Sequence, residues 1–230
     1  MTPRGRGGVR FPEARVLVFA KAPVPGRAKT RLIPALGAEQ AAALSARLLE
    51  STVDRLSAAA IAPIECWCTP TTTHPLFQRL AARWGVGLAL QRGADLGERM
   101  STAVADTLGQ ARAVVLVGGD CPVLEPEHLV QTLAWLEQGW DAVLGPAEDG
   151  GYVLLGLRRP APALFHAIPW GEERVAALTR DRLAGLGWRW RELPPLWDLD
   201  RPEDLDRFRA LAGTRVRRRE DGVPCPAPEC

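Results

Sequence analysis

The sequence predicts a three-layer α/β/α sandwich around a mostly parallel sheet. Short, β-branched apolar runs alternate with longer helical patterns along most of the chain, which calls for parallel strands joined by right-handed crossovers. The clearest runs, RVLVFA at 15–20 and AVVLV at 113–117, are continuously apolar, as in strands buried on both faces. The length of 230 residues, 47% hydrophobic and 24% charged, suits one large α/β domain and excludes a disordered chain.

The elements follow in order. Residues 15–20 form the first strand. Residues 38–60 are rich in Ala and Leu and lack Pro and Gly, so they form a long helix. A second strand at 63–68 leads to a helix at 74–84, and a third at 87–91 to a helix at 96–108. The run at 113–117 is a fourth strand, followed by a helix at 126–138. Strands at 141–144 and 152–157 are joined by a turn rich in Gly and acids at 145–151. A helix at 174–186, a strand at 188–193 and a last helix at 202–211, with Pro202 near its first turn, complete the series. The expected domain is 14–212, with 1–13 as an N-terminal extension and 213–230, which has little to bury, as a flexible tail.

A net charge of +2 is too balanced to predict nucleic acid or an anionic membrane as a partner. No run approaches the roughly 18–20 apolar residues of a membrane span, and the basic start leads into too short an apolar stretch for a secretory signal. A cytoplasmic protein acting on small molecules is expected. Oligomeric state is not legible. Five cysteines, an odd number, argue against a disulfide framework, and Cys66 and Cys68 share one face of a strand.

Open parallel sheets bind ligands beyond the carboxyl ends of their strands, and four loops there carry chemistry. The loop 21–31 holds Lys21, Arg27, Lys29 and Arg31 around Gly26, with Pro23 and Pro25 stiffening it. Fixed cations at a tight turn suit the phosphates of a nucleotide, although the Walker A spacing is absent. Gly118, Gly119 and Asp120 end the AVVLV strand, where a carboxylate after small residues can hold a divalent cation on a diphosphate. The turn with Glu148, Asp149, Gly150, Gly151 and Tyr152 can contact an acceptor or supply a general base, and is also a strong turn signal. Asp198 and Asp200 point the same way in an extended segment, and Asp200 is either a second metal carboxylate or the cap of the last helix. Asp95 is a helix cap or a nucleoside contact, and Trp170 packs ordinarily or walls the acceptor site. Signatures of serine hydrolases, zincins and dinucleotide-binding enzymes are missing.

In order, these segments (19–32, 93–100, 119–122, 145–152, 170–171 and 198–205) resemble the bacterial GT-A-fold transferases often labelled arsenosugar-biosynthesis-type glycosyltransferases. The resemblance spans about residues 14–212 and implies the nucleotide-diphospho-sugar transferase fold, shared with 2-phospholactate guanylyltransferase and the molybdenum-cofactor guanylyltransferases. It implies that Lys21, Arg27, Lys29 and Arg31 grip nucleotide phosphates, that Asp120 and Asp200 hold Mg2+ or Mn2+, and that Asp149 lines the acceptor side. The strict D-x-D of many glycosyltransferases is Gly-Asp-Cys here. Asp120, Asp149 and Lys29 are the expected catalytic set. Glycosyl transfer from a nucleotide-diphospho-sugar to a small acceptor is the favoured expectation. Nucleotidyl transfer from a nucleoside triphosphate to a small phosphorylated acceptor is the alternative, and a non-catalytic nucleotide-binding protein a second.

Overall fold

A computed structural model describes residues 8–211. Seven strands form one sheet in the order β3-β2-β1-β4-β6-β5-β7. The strands are β1 (Ala14–Lys21), β2 (Ile64–Thr69), β3 (Gly87–Leu90), β4 (Ala113–Gly118), β5 (Ala142–Pro146), β6 (Tyr152–Leu157) and β7 (Trp190–Glu192). The helices are α1 (Ile33–Leu36), α2 (Ala38–Ala58), α3 (Pro75–Trp84), α4 (Leu96–Leu108), α5 (Pro126–Glu137) and α6 (Val175–Gly185), and residues 204–211 are also helical.

The three layers follow from which face each apolar stripe covers. Leu49, Val53 and Leu56 of α2, Phe77 and Leu80 of α3, and Leu129 and Leu133 of α5 pack on one face of the sheet. Met100 and Val104 of α4 and Ala176 and Leu183 of α6 cover the other. Cys66 and Cys68 face the first layer and Trp67 the second, as strand alternation requires. Phe11, 5% exposed, joins the first core. Local signals set the helix ends: Asp95 accepts a 2.8 Å bond from Glu98 N at the start of α4, and Gly85 closes α3 in the left-handed region at φ 67°.

The sheet is parallel except for β6, which lies antiparallel between β4 and β5. The five residues between β5 and β6 are too few for a crossover, so the chain returns as a hairpin. From β1 the chain moves outward through β2 to β3, then crosses back to β4 on the other side. The carboxyl ends of β1 and β4, adjacent and parallel, therefore form the crevice where such sheets take ligands.

A third apolar cluster fixes what surrounds that crevice. Leu32 from the basic loop, Leu44 and Leu48 from α2, and Trp197, Leu199 and Leu205 from the C-terminal segment pack together. This clamps residues 29–31 against 197–200. The backbone of Leu199 donates to Asp120 O at 3.1 Å, and Cys121 Sγ to Trp197 O at 3.2 Å, tying the same segment to the end of β4. The expected extension 1–13 and tail 213–230 lie partly and wholly outside the described residues.

Candidate active site

Two adjoining cavities open over the ends of β1 and β4. One, of about 570 Å³, is lined by Lys21, Arg27, Lys29, Arg31 and Arg99, together with Gly118 and Gly119. The other, of about 380 Å³, is lined by Asp149, Gly151, Tyr152, Trp170, Glu172 and Asp198. Phe19, Arg31, Leu96, Gly118, Asp120 and Asp200 belong to both and form the shared wall. Cations dominate one side and carboxylates the other.

Lys29 spans the boundary. Its ammonium donates to Asp120 Oδ2 at 2.8 Å and to Asp200 Oδ1 at 3.3 Å. Burial alone would pull its pKa down, but Asp120, then Asp200 and Asp198, outweigh that and hold it above the usual lysine value. The residue sits in the left-handed region at φ 46° and ψ 47°, a conformation that costs free energy in a non-glycine residue. Arg31 completes the link, donating to Asp200 Oδ2 at 2.6 Å. Burial raises the pKa of Asp200, yet Lys29 and Arg31 reverse this and leave it below the usual carboxylate range.

Asp198 is the exception in this charge balance. Burial and then the neighbouring Asp120 and Asp149 push it up to about 7, with Lys29 only partly opposing them. Its convergence with Asp120 and Asp200 is a feature that the motifs do not assign; the D-x-D spacing of 198 and 200 is the signal that contains it. Among the described residues, no group of three or more His, Cys, Asp or Glu side chains is arranged to hold a metal ion. Mg2+, however, commonly takes one or two carboxylates and fills its shell with phosphate oxygens and water. Asp120 and Asp200, hard oxygen donors facing both cavities beside a third, crowded carboxylate, fit that pattern.

The remaining expected residues divide. Asp149 and Gly151 line the carboxylate cavity, although Asp149 Oδ1 also accepts from Gly151 N at 2.9 Å and so shapes the turn. Tyr152 and Trp170 meet edge to face with centroids 6.2 Å apart and wall the same cavity. The Tyr152 hydroxyl contacts Met100 Sδ at 3.9 Å, and burial pushes its pKa well up, so it stays a neutral phenol. Glu148 turns away and pairs with Arg207 through bonds of 2.6 and 2.9 Å. Gly150 lies outside the lining of both cavities. At φ 89° it packs where a Cβ would meet Glu173 O at 2.0 Å, so its need for glycine is structural. Gly26 shapes the basic loop at φ 78° but lines neither cavity. Asp95 acts as the cap of α4, not as part of either lining. Asp200 does not cap the last helix: its carboxylate accepts from Lys29 and Arg31, while Asp204, in the first turn of that helix, reaches back to accept from Asp200 N and Arg201 N at 3.0 and 2.7 Å. Cys66, Cys68 and Cys121 are buried, and burial pushes each thiol up to about 12.

A family described as uncharacterized protein conserved in bacteria (DUF2064) matches residues 52–172. A phosphoenolpyruvate guanylyltransferase of Rubrobacter xylanophilus is 30% identical over 88% of this chain and 98% of its own length. A crystal structure of a candidate nucleotide-diphospho-sugar transferase from Desulfovibrio desulfuricans G20 is 34% identical, with a TM-score of 0.74 and 83% of each chain covered. A cytidylyltransferase from Leptospira borgpetersenii shares the fold at 15% identity, with a TM-score of 0.55 over 88% of this chain and 87% of that one. The fold is therefore that of the nucleotide-diphospho-sugar transferases. No helix among the described residues is long and apolar enough to cross a membrane.

Proposed function

The chain belongs to the DUF2064 family, related to phosphoenolpyruvate guanylyltransferase, and is a transferase; we propose that it is a nucleotidyltransferase, moving a guanylyl group from GTP to a small phosphorylated acid. The carrying observation is the divided site, with cations around one cavity, carboxylates around the next, and Lys29 bridging them. The guanylyltransferase relative, similar over 88% of this chain, supports this reading over the glycosyl transfer that the acidic turn at 148–152 and the family resemblance favour.

In this reading Lys21, Arg27, Lys29 and Arg31 hold the donor phosphates, and Arg31 and Lys29 face the charge that grows on departing pyrophosphate. An acceptor phosphate oxygen attacks the α-phosphorus; the bond to that phosphorus forms as the bond to the bridging β-oxygen breaks. Tyr152 and Trp170 wall the acceptor, and Asp149 orients it. Asp120 and Asp200 are the residues that would hold Mg2+ or Mn2+, whose chemistry there is to neutralise the facing phosphates.

Glycosyl transfer stands as a second reading, favoured by the 34% identity to the Desulfovibrio protein. A thermal-shift panel of nucleoside triphosphates and nucleotide sugars with Mg2+ at equal concentrations separates the two, because a ligand of the native state raises the melting temperature more the further its concentration exceeds its Kd. The largest shift with GTP supports nucleotidyl transfer. Larger shifts with nucleotide sugars than with any triphosphate support the second reading.

A further inference from the structure

Gln91 directly follows β3 and lines the cation-rich cavity. Its backbone N–H donates to Cys68 O at 2.9 Å, fixing the residue against β2. Its side-chain Nε2 donates to Trp67 O at 2.7 Å and to Ala20 O at 3.3 Å. Both partners are carbonyls, which only accept, so the nitrogen and not the oxygen of the amide must stand there. The amide is thereby locked. Its Oε1, with no hydrogen bond among the described residues, is the acceptor that Gln91 offers to the cavity.

We propose that Gln91 reads the base of the donor nucleotide and selects guanine. Guanine is the standard base that presents two adjacent donors, N1–H and the N2 amino group, to a single carbonyl oxygen with two unengaged lone pairs. Adenine and cytosine set one amino group beside a ring nitrogen that repels such an oxygen, and uracil sets its one N–H between two carbonyls. The surroundings suit a base. Leu96, 41% exposed, gives an apolar surface on the same cavity, which Lys21, Arg27, Lys29 and Arg31 also line. Arg99, held by its Nε to Gly93 O at 3.0 Å, lines the cavity and can donate to the acceptor atoms of the opposite base edge. A tethered amide discriminates well because the wrong base leaves a polar group unpaired, whereas a free one would rotate to suit.

The proposal rests on the nucleotidyl-transfer reading, and calorimetry separates the failure of one from that of the other. GTP, ITP, ATP, CTP, UTP and inorganic tripolyphosphate are titrated into the wild type and Gln91→Leu with Mg2+. ITP differs from GTP only by lacking the N2 amino group. The wild type is expected to bind GTP about tenfold or more tighter than ITP, the scale of one hydrogen bond to a fixed acceptor. In Gln91→Leu that ratio falls to about twofold or less. Unchanged tripolyphosphate affinity shows that the variant is folded with its phosphate loop intact. Equal binding of GTP and ITP by the wild type, or an unaltered ratio in Gln91→Leu, overturns the proposal alone. Binding of tripolyphosphate but of no nucleoside triphosphate overturns nucleotidyl transfer and the base-reading role together.

Discussion

Lys29 Nζ lies 2.8 Å from Asp120 Oδ2, joining a strained loop after β1 to the end of β4 across 91 positions of sequence. Only 7% of the Lys29 side chain is exposed, against 41% for Asp120. The pair thus holds a nearly buried cation to a half-exposed anion at the wall between the two cavities.

Removing that cation leaves Asp120 and Asp200 close together without their shared partner. Lys29→Met is expected to lower unfolding free energy by about 1–3 kcal/mol, less than for a fully buried pair because both carboxylates reach water. It also weakens GTP binding by about tenfold or more, since a charged hydrogen bond to phosphate is lost. Urea unfolding and calorimetry check the two effects separately, and unchanged values in both would remove Lys29 from the site.

Asp120→Asn keeps the shape of the strand end and removes the negative charge that faces both cavities. Turnover is expected to fall on the order of 100-fold or more, while the melting temperature falls by only about 2–6 °C because Asp200 still pairs with Lys29. A chelator should abolish wild-type turnover, and added Mg2+ should restore it. Full activity with the chelator present contradicts the assignment of Asp120 and Asp200.

Asp198 gives a pH signature. Its native pKa is pushed from 3.8 up to about 7, so between these values the folded protein binds more protons than the unfolded chain. Stability contributed by this group therefore falls as pH rises through that window and levels above it. Asp198→Asn, neutral throughout, should become more stable than the wild type by a margin that widens across the window. Thermal melts of the metal-free proteins at several pH values test it; a constant margin would show that Asp198 titrates like an ordinary aspartate.

Glu148 and Asp149 are adjacent yet should behave differently. Glu148 pairs with Arg207 on the surface, so Glu148→Gln should cost less than about 1 kcal/mol and leave kcat/KM close to the wild type. Asp149→Asn should lower kcat/KM through its place in the carboxylate cavity. Equal kinetic losses in the two variants would contradict the cavity assignment.

Much of this was legible because strand ends and ligand crevices coincide in parallel sheets. Continuous apolar runs mark β1 and β4, so Lys21, Arg27, Lys29, Arg31 and Asp120 can be placed at one rim from sequence alone. Tertiary pairing decides the rest. No periodicity shows that β6 inserts between β4 and β5, or that Glu148 finds Arg207 across 59 positions. Asp200 looks equally like a helix cap until its carboxylate is seen to accept from Lys29 and Arg31. Gln91 reads as the last residue of a strand, and only the carbonyls of Ala20 and Trp67, from β1 and β2, turn it into a fixed acceptor.

The central claim, nucleotidyl transfer, is tested most directly by the identity of the released product. The protein is incubated with Mg2+, GTP and a panel of small phosphorylated acids, and separately with GDP-sugars and UDP-sugars and the same acceptors. Pyrophosphate released from GTP only when an acceptor is present, and lost in Asp120→Asn, is the predicted result. Release of a nucleoside diphosphate from a nucleotide sugar, with no pyrophosphate from any triphosphate, would contradict it.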